Sequence, residues 1–402
     1  MIRKIYLDKL LSTFIGLIFA LILVPSNIKS IVILFLGVTL IINWYKKKTK
    51  FNWSLFLNFG FIYILILLTL FFSKDLNQGL MSIQTMLSLL IFPLYFSLIT
   101  KEEYKTLNLN LYVWVYLVSI FIFHFTIFFW FFITKFSFND TLIHFQEIVT
   151  IHIGKLNTHP IYISMHCCVA LLFSFYLKRN KMSNLKRVVL FFLQSSMVLF
   201  LVLHAKKGPI LAFIFTILVY LLISNKKTLK VYGPIVIGVI VLFISIPKVK
   251  NRFLEIFTIQ KLTESNQNST NIRVAIYENS INLIKQSPLF GYGIGDYNTE
   301  LRKSFIVNNQ TFLLDKEYNT HNQFLSFMMI GGPLILFGYF YFFIKNVRLS
   351  YLRGNKIFIL VLIFYSTVML TENILERENG VIFFSFFISL FGFNNYNNIE
   401  KE

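Results

Sequence analysis

The feature that most constrains this chain is the succession of apolar runs, each long enough to cross a bilayer, set between short polar connections. They lie at about 10–26, 29–45, 53–72, 81–100, 109–134, 159–177, 187–204, 208–224, 231–247, 322–344, 356–371 and 379–393. In hydrocarbon every backbone N–H and C=O must find a partner inside its own segment, so such runs fold as helices. The expectation is an all-α polytopic integral membrane protein of about twelve transmembrane helices, with both termini on one side. Composition agrees: the chain is 56% hydrophobic and 18% aromatic, with 48 Phe and 14% charged residues. A soluble globular domain carries roughly 25% charged residues. The first run follows Arg3, Lys4 and Lys9 but has no small-residue cleavage site after it, so it reads as a retained span.

The basic residues orient the spans. With the N-terminus inside, the inner segments hold 22 of the 38 Lys and Arg and only 5 of the 18 Asp and Glu. That is the asymmetry of the positive-inside rule, so the net charge of +20 is a matter of topology and no nucleic-acid partner is expected. The adjacent Cys167 and Cys168 sit inside an apolar run, have no metal-ligand spacing and read as packing residues. No inverted repeat of the kind found in many transporters is visible.

One long segment interrupts the pattern. Between the runs ending near Pro247 and beginning near His321 lies an outward-facing loop of seventy-odd residues. Within it Asn271 to Ile284 has apolar side chains at helical spacing, which predicts an amphipathic helix on or near the membrane. Ser287-Pro288 ends that helix, and Gly291-Tyr292-Gly293-Ile294-Gly295-Asp296 follows as a turn where backbone can approach a partner closely. The glycines match neither a dinucleotide nor a P-loop fingerprint. The chain divides into N-terminal spans at 1–186, a central region at 187–345 that includes the loop 247–321, and C-terminal spans with a short tail at 346–402.

Four polar clusters fall on the same outer face. His144, Glu147, His152 and His159 precede Pro160, without a strong zinc signature. Lys206 and Lys207 occupy a tight outer turn, where they suit either lipid headgroups or an anion such as a lipid-linked diphosphate. The loop places Arg273, a permanently charged fork suited to phosphate, and His321, a group able to take a proton near neutral pH. Between the last two runs, Glu372 and Glu376 are four apart and can share a face, with Arg377 able to pair with either.

The pattern Arg273-x-x-x-Tyr277, then Ser287-Pro288-Leu289-Phe290-Gly291-Tyr292-Gly293-Ile294-Gly295, then Thr320-His321-Asn322-Gln323-Phe324-Leu325 and Ile330-Gly331-Gly332-Pro333-Leu334 resembles the O-antigen ligase family, which also takes in O-antigen polymerases. The resemblance covers roughly residues 190 to 345. The stretches Glu372-Asn373-x-x-Glu376-Arg377 and His159-Pro160-x-Tyr162 also resemble members of this family from Gram-negative bacteria. It implies a multi-span glycosyltransferase of the bacterial inner membrane with cytoplasmic termini. Such an enzyme uses an undecaprenyl-diphosphate-linked glycan at the periplasmic face, with no cofactor, nucleotide sugar or metal.

By position, the resemblance makes Arg273 a ligand of the donor diphosphate and sets His321 near the reacting centre. Where the family usually has an arginine between spans seven and eight, this chain has Lys206 and Lys207 as the cation source. Departure of a diphosphate needs cations and the attacking hydroxyl needs a base, for which His321 is the first choice and Glu372 the second. His159, Tyr277, Tyr292, Asn322, Glu376 and Arg377 are candidate substrate contacts. No Asp-x-Asp pair occurs.

The expected reaction is ligation of the glycan to a lipid A core sugar. The alternative is polymerisation onto a second lipid-linked glycan, with a chain-length regulator as a further partner. A non-enzymatic flippase of lipid-linked sugars is the remaining reading, and it predicts charged residues at mid-membrane depth in broken helices. Here the polar groups gather at the outer ends of spans.

Overall fold

The computed structural model describes residues 2–133, 137, 145, 158–177, 182–223, 245, 247–263, 266–314, 316 and 318–396. Among them the regular structure is helical, with no strand. In chain order the helices are α1 (Ile2–Ile18), α2 (Ser26–Lys47), α3 (Trp53–Leu68), α4 (Leu76–Thr85), α5 (Ser88–Ser97), α6 (Lys101–Thr106), α7 (Leu109–Ile133) and α8 (Pro160–Ser174). There follow α9 (Asn184–His204), α10 (Lys207–Ile223), α11 (Pro247–Leu254), α12 (Ser269–Gln286), α13 (Tyr297–Val307), α14 (Gln323–Leu352), α15 (Lys356–Val368) and α16 (Glu378–Gly392).

Five helices among the described residues are long and apolar enough to cross a membrane, or six if the bent pair α4 and α5 counts as one span. That pair replaces the straight span expected at 81–100 with two ten-residue helices meeting at 45°. Other expected spans are shorter helices: α8 has 15 residues and α15 has 13. At 1.5 Å of rise per residue these fall short of a hydrocarbon core about 30 Å thick. The run expected at 231–247 lies almost wholly outside the described residues, as do His144, Glu147 and His152.

The chain forms two compact units that do not follow sequence order: Met1–Phe51 with Leu98–Val249, and Asn52–Ser97 with Lys250–Glu402. In the first, every residue of α8 is buried, including the free thiols Cys167 and Cys168. His124 of α7 stacks on Phe200 of α9 at 3.8 Å between ring centres, and its Nε2 lies 3.0 Å from Nε2 of His204. At the head of α6, Glu103 closes a capping box with Thr100 and takes Lys47 at 2.5 Å.

In the second unit a break in α14 organises the loop elements. Gly331 and Gly332 leave helical geometry, Gly332 with φ of +62°, and Pro333 follows with no N–H to give. A side chain at Gly332 would bring a Cβ within 2.2 Å of the Leu289 carbonyl oxygen. The carbonyls freed by the break are used at once: Tyr292 N donates to Met329 O at 2.7 Å and Gly293 N to Ile330 O at 3.0 Å. The partner that the glycine turn approaches is therefore this chain's own backbone. Gly293, with φ of +84°, has Ser73 so close that a Cβ would meet its Oγ at 2.4 Å. Asp296 completes the joint by accepting from the backbone N–H groups of Lys74 and Asp75 at 2.6 and 3.1 Å.

Candidate functional site

The site is built first by α12. Asn268 caps its N-terminus by accepting from Thr270 N and Asn271 N, and Ser287 ends it. Ile272, Ala275, Ile276, Asn279, Ser280 and Leu283 are buried at helical spacing, so its inner face packs against protein, including α13 and α14. The expected apolar face is thus largely covered by this chain, while Ile281 stays exposed.

Arg273 and Tyr277 lie one turn apart on α12 and reach the same neighbourhood. The Arg273 guanidinium pairs through Nη2 with Oε1 of Glu372, 99 residues away in sequence. The Tyr277 hydroxyl faces the main-chain oxygens of His321 at 3.1 Å and Leu370 at 3.2 Å. Burial pushes the Tyr277 phenol up to about 12, Arg273 acting to lower it and Glu372 to raise it, so it remains a donor at neutral pH.

His321 has φ of +47°, an uncommon conformation for a residue with a side chain, and its N–H donates to Asn319 Oδ1 at 3.2 Å. Its Nδ1 is 3.6 Å from Oε2 of Glu372, an electrostatic approach rather than a hydrogen bond. That nitrogen is buried with no hydrogen-bond partner. Arg273 and His321 thus converge on the Glu372 carboxylate, the three side chains being 20%, 23% and 8% exposed. A cation, a carboxylate and an imidazole at a partly open surface can bind an anion and accept a proton.

Glu376 belongs to a second, tighter arrangement. Its Oε2 accepts from the Tyr297 hydroxyl at 2.6 Å and Asn373 Nδ2 at 2.9 Å, and its Oε1 from Gln323 Nε2 at 3.0 Å. The Asn373 amide also lies within hydrogen-bond distance of Ser326, its Oδ1 accepts from Thr320 Oγ1 at 3.1 Å, and Gln323 Oε1 receives Leu375 N. Burial, then the neighbouring Glu376 carboxylate, holds the Tyr297 phenol well above its usual range. The two acids expected to share a face instead serve different partners, because a short 3-10 turn at Ile374–Glu376 separates them. Arg377 is exposed and makes neither of the ion pairs expected for it. It borders a cavity of about 440 Å³ that Tyr297, Glu376 and Tyr318 also line.

Other candidates have structural contacts. Asn322 caps α14, its Oδ1 accepting from Phe324 N and Leu325 N. The Tyr292 hydroxyl donates to Leu283 O at 2.8 Å, and burial raises its pKa. His159, Lys206 and Lys207 belong to the other compact unit. His159 caps α8, and Lys207, 9% exposed, opens α10 after Ala205 turns the chain with φ of +46°.

Tyr297, Gln323 and Asn373 join the site without having been sequence candidates, although Gln323 and Asn373 lie inside the stretches 320–325 and 372–377 and all three stand among polar side chains at the edges of apolar runs. Among the described residues no group of three or more His, Cys, Asp or Glu is placed to hold a metal ion.

Residues 190–340 match the family model described as O-antigen ligase, a segment that contains Arg273, Tyr277 and His321 and stops short of Glu372. The match covers less than half of the chain and supports an O-antigen ligase-related family. No curated protein matches the chain.

Proposed function

We propose that this membrane protein, whose residues 190–340 are O-antigen ligase-related, joins an undecaprenyl-diphosphate-linked glycan to a lipid-anchored acceptor at the periplasmic face of the bacterial inner membrane. The acceptor in this reading is a lipid A core sugar. The observation that carries it is the convergence of Arg273 and His321 on Glu372.

An acceptor hydroxyl attacks the anomeric carbon of the donor sugar, forming the new glycosidic bond as the bond to the diphosphate oxygen breaks. The diphosphate leaves with that electron pair, and its growing charge needs a fixed cation. Arg273 has five N–H donors, so its contact with Glu372 leaves others for phosphate oxygens.

The acceptor proton goes to His321. With a proton on Nδ1 facing Glu372, Nε2 is the acceptor, and the carboxylate stabilises the imidazolium that forms. Glu372 is engaged by Arg273 on one oxygen and faces His321 with the other. That placement fits a residue that orients its two partners better than one that takes the substrate proton itself.

The test is a transfer assay with purified protein and undecaprenyl-diphosphate glycan, offering lipid A core in one tube and only more donor in a second. Chelator in both tests whether transfer needs a divalent cation. Product on the lipid A core supports ligation; a ladder grown from donor alone replaces ligation with polymerisation. No product in either tube rejects the proposal.

A further inference from the structure

The cavity of about 440 Å³ lies beside the Arg273–Glu372–His321 cluster and is chemically unlike it. Its formally charged lining residues cancel, Asp75 and Glu376 against Arg302 and Arg377. Such a wall does not suit a diphosphate, which needs a surplus of cations. The rest is mostly neutral hydrogen-bonding side chains, among them Gln78, Thr85 and Asn319, together with the ring of Tyr318. Amides and hydroxyls arranged around an aromatic face are what a pyranose ring requires, with hydroxyls around its rim and C–H groups on its faces. The volume falls within the range of about 300–1,000 Å³ usual for small-molecule pockets.

Two details point to a ligand. Glu376 is anchored by three hydrogen bonds from Tyr297, Asn373 and Gln323. A carboxylate has about four acceptor positions, so one remains for a hydroxyl arriving from the cavity. Tyr318 has its ring 5.7 Å from that of His321, and neighbouring Asn319 holds the His321 N–H. The cavity wall therefore runs directly into the segment that carries the imidazole.

We infer that this cavity is a subsite for an uncharged sugar unit of the glycan, separate from the diphosphate-binding cluster. The sugar lies against Tyr318 and donates a hydroxyl to Glu376, while Arg377 closes the rim. This rests on the proposed glycosyl transfer for its biological meaning, whereas binding itself can be measured without turnover.

The experiment is saturation-transfer NMR on detergent-solubilised full-length protein. The probes are methyl α-glucoside, methyl α-galactoside and N-acetylglucosamine, with inorganic diphosphate as competitor. At least one sugar should bind to wild-type protein and to Arg273→Ala alike, without displacement by diphosphate. Ser82→Trp, which fills the cavity from α4, should abolish the signal. Tyr318→Ala should weaken binding about tenfold, the worth of one aromatic contact. Monodisperse elution of both variants separates lost binding from lost fold.

Binding that survives Ser82→Trp, displacement by diphosphate, or absence of binding to wild-type protein overturns the subsite. Sugar binding by wild-type protein that transfers nothing upholds the subsite and overturns the proposed function.

Discussion

The two compact units bury their polar side chains in different ways. In the first, His124 lies flat on Phe200 and meets His204 edge to edge, and both imidazoles are fully buried. Tyr116 and His166 form a similar buried contact at 2.6 Å. In the second, Arg273, Glu372 and His321 bring opposite charges and a proton acceptor together where Arg273 and His321 remain about a fifth exposed. Stacked imidazoles inside a helix bundle join helices. A charged cluster with one unpartnered nitrogen and a cavity beside it can meet a substrate. Accessibility and the pairing of opposite charges beside the imidazole therefore distinguish the candidate site better than the presence of histidine.

The comparison makes Arg273→Ala and His321→Ala the most severe changes. Each should cut transfer by on the order of 10³-fold, the usual worth of one charge-stabilising or proton-accepting group. Membrane fractionation should find both variants inserted as wild type. Transfer near the wild-type rate in both would remove the proposed cluster. Gly332→Ala should come next, because its Cβ would strike the Leu289 carbonyl at a positive φ. A loss of roughly 3 kcal/mol is expected, read as a lower denaturation midpoint in detergent, with transfer falling as the loop undocks from α14.

His124→Phe tests the other side of the comparison. It keeps the stacking on Phe200 and loses the contact with His204, so a cost of about 1–2 kcal/mol is expected with transfer preserved once the protein is folded. A transfer defect as deep as that of His321→Ala in stable protein would break the distinction between the units.

The smallest effect belongs to Tyr277→Phe, which removes the hydroxyl facing His321 O and Leu370 O and should cost about 1 kcal/mol. It also predicts a pH dependence. The folded phenol titrates at about 12 against its ordinary value of 10.0, so the folded state resists ionisation that the unfolded chain undergoes. The stabilising contribution of this group is complete below pH 10 and declines as pH rises towards about 12. Denaturation midpoints measured across that window should fall more gently in Tyr277→Phe than in wild type.

The helices were readable in the sequence because their signals are local. Ser287-Pro288 after α12 and the apolar spacing from Ile272 to Leu283 both act within a few residues. The four-residue step from Arg273 to Tyr277 likewise places both on one face of any helix. Membrane character followed from apolar runs, since lipid admits no other way to satisfy the backbone. Length was less secure: the bend between α4 and α5 and the break at Gly331–Gly332 divide stretches whose composition reads as continuous.

What sequence spacing left open was which partner each polar side chain would take. Glu372 and Glu376 are four apart, yet one meets Arg273, 99 residues upstream, and the other meets Tyr297, 79 residues upstream. Nothing local selects between those outcomes. Sequence by itself determined that this chain is helical and membrane-embedded, and marked Arg273 and His321 for attention. Tertiary structure alone decided that both converge on Glu372, that the glycine turn docks on a broken helix, and that Tyr318 and Glu376 enclose a cavity. The physical reason is range: caps and apolar periodicity act within a turn or two of helix, whereas charge pairing and cavity shape depend on distant segments brought together by packing.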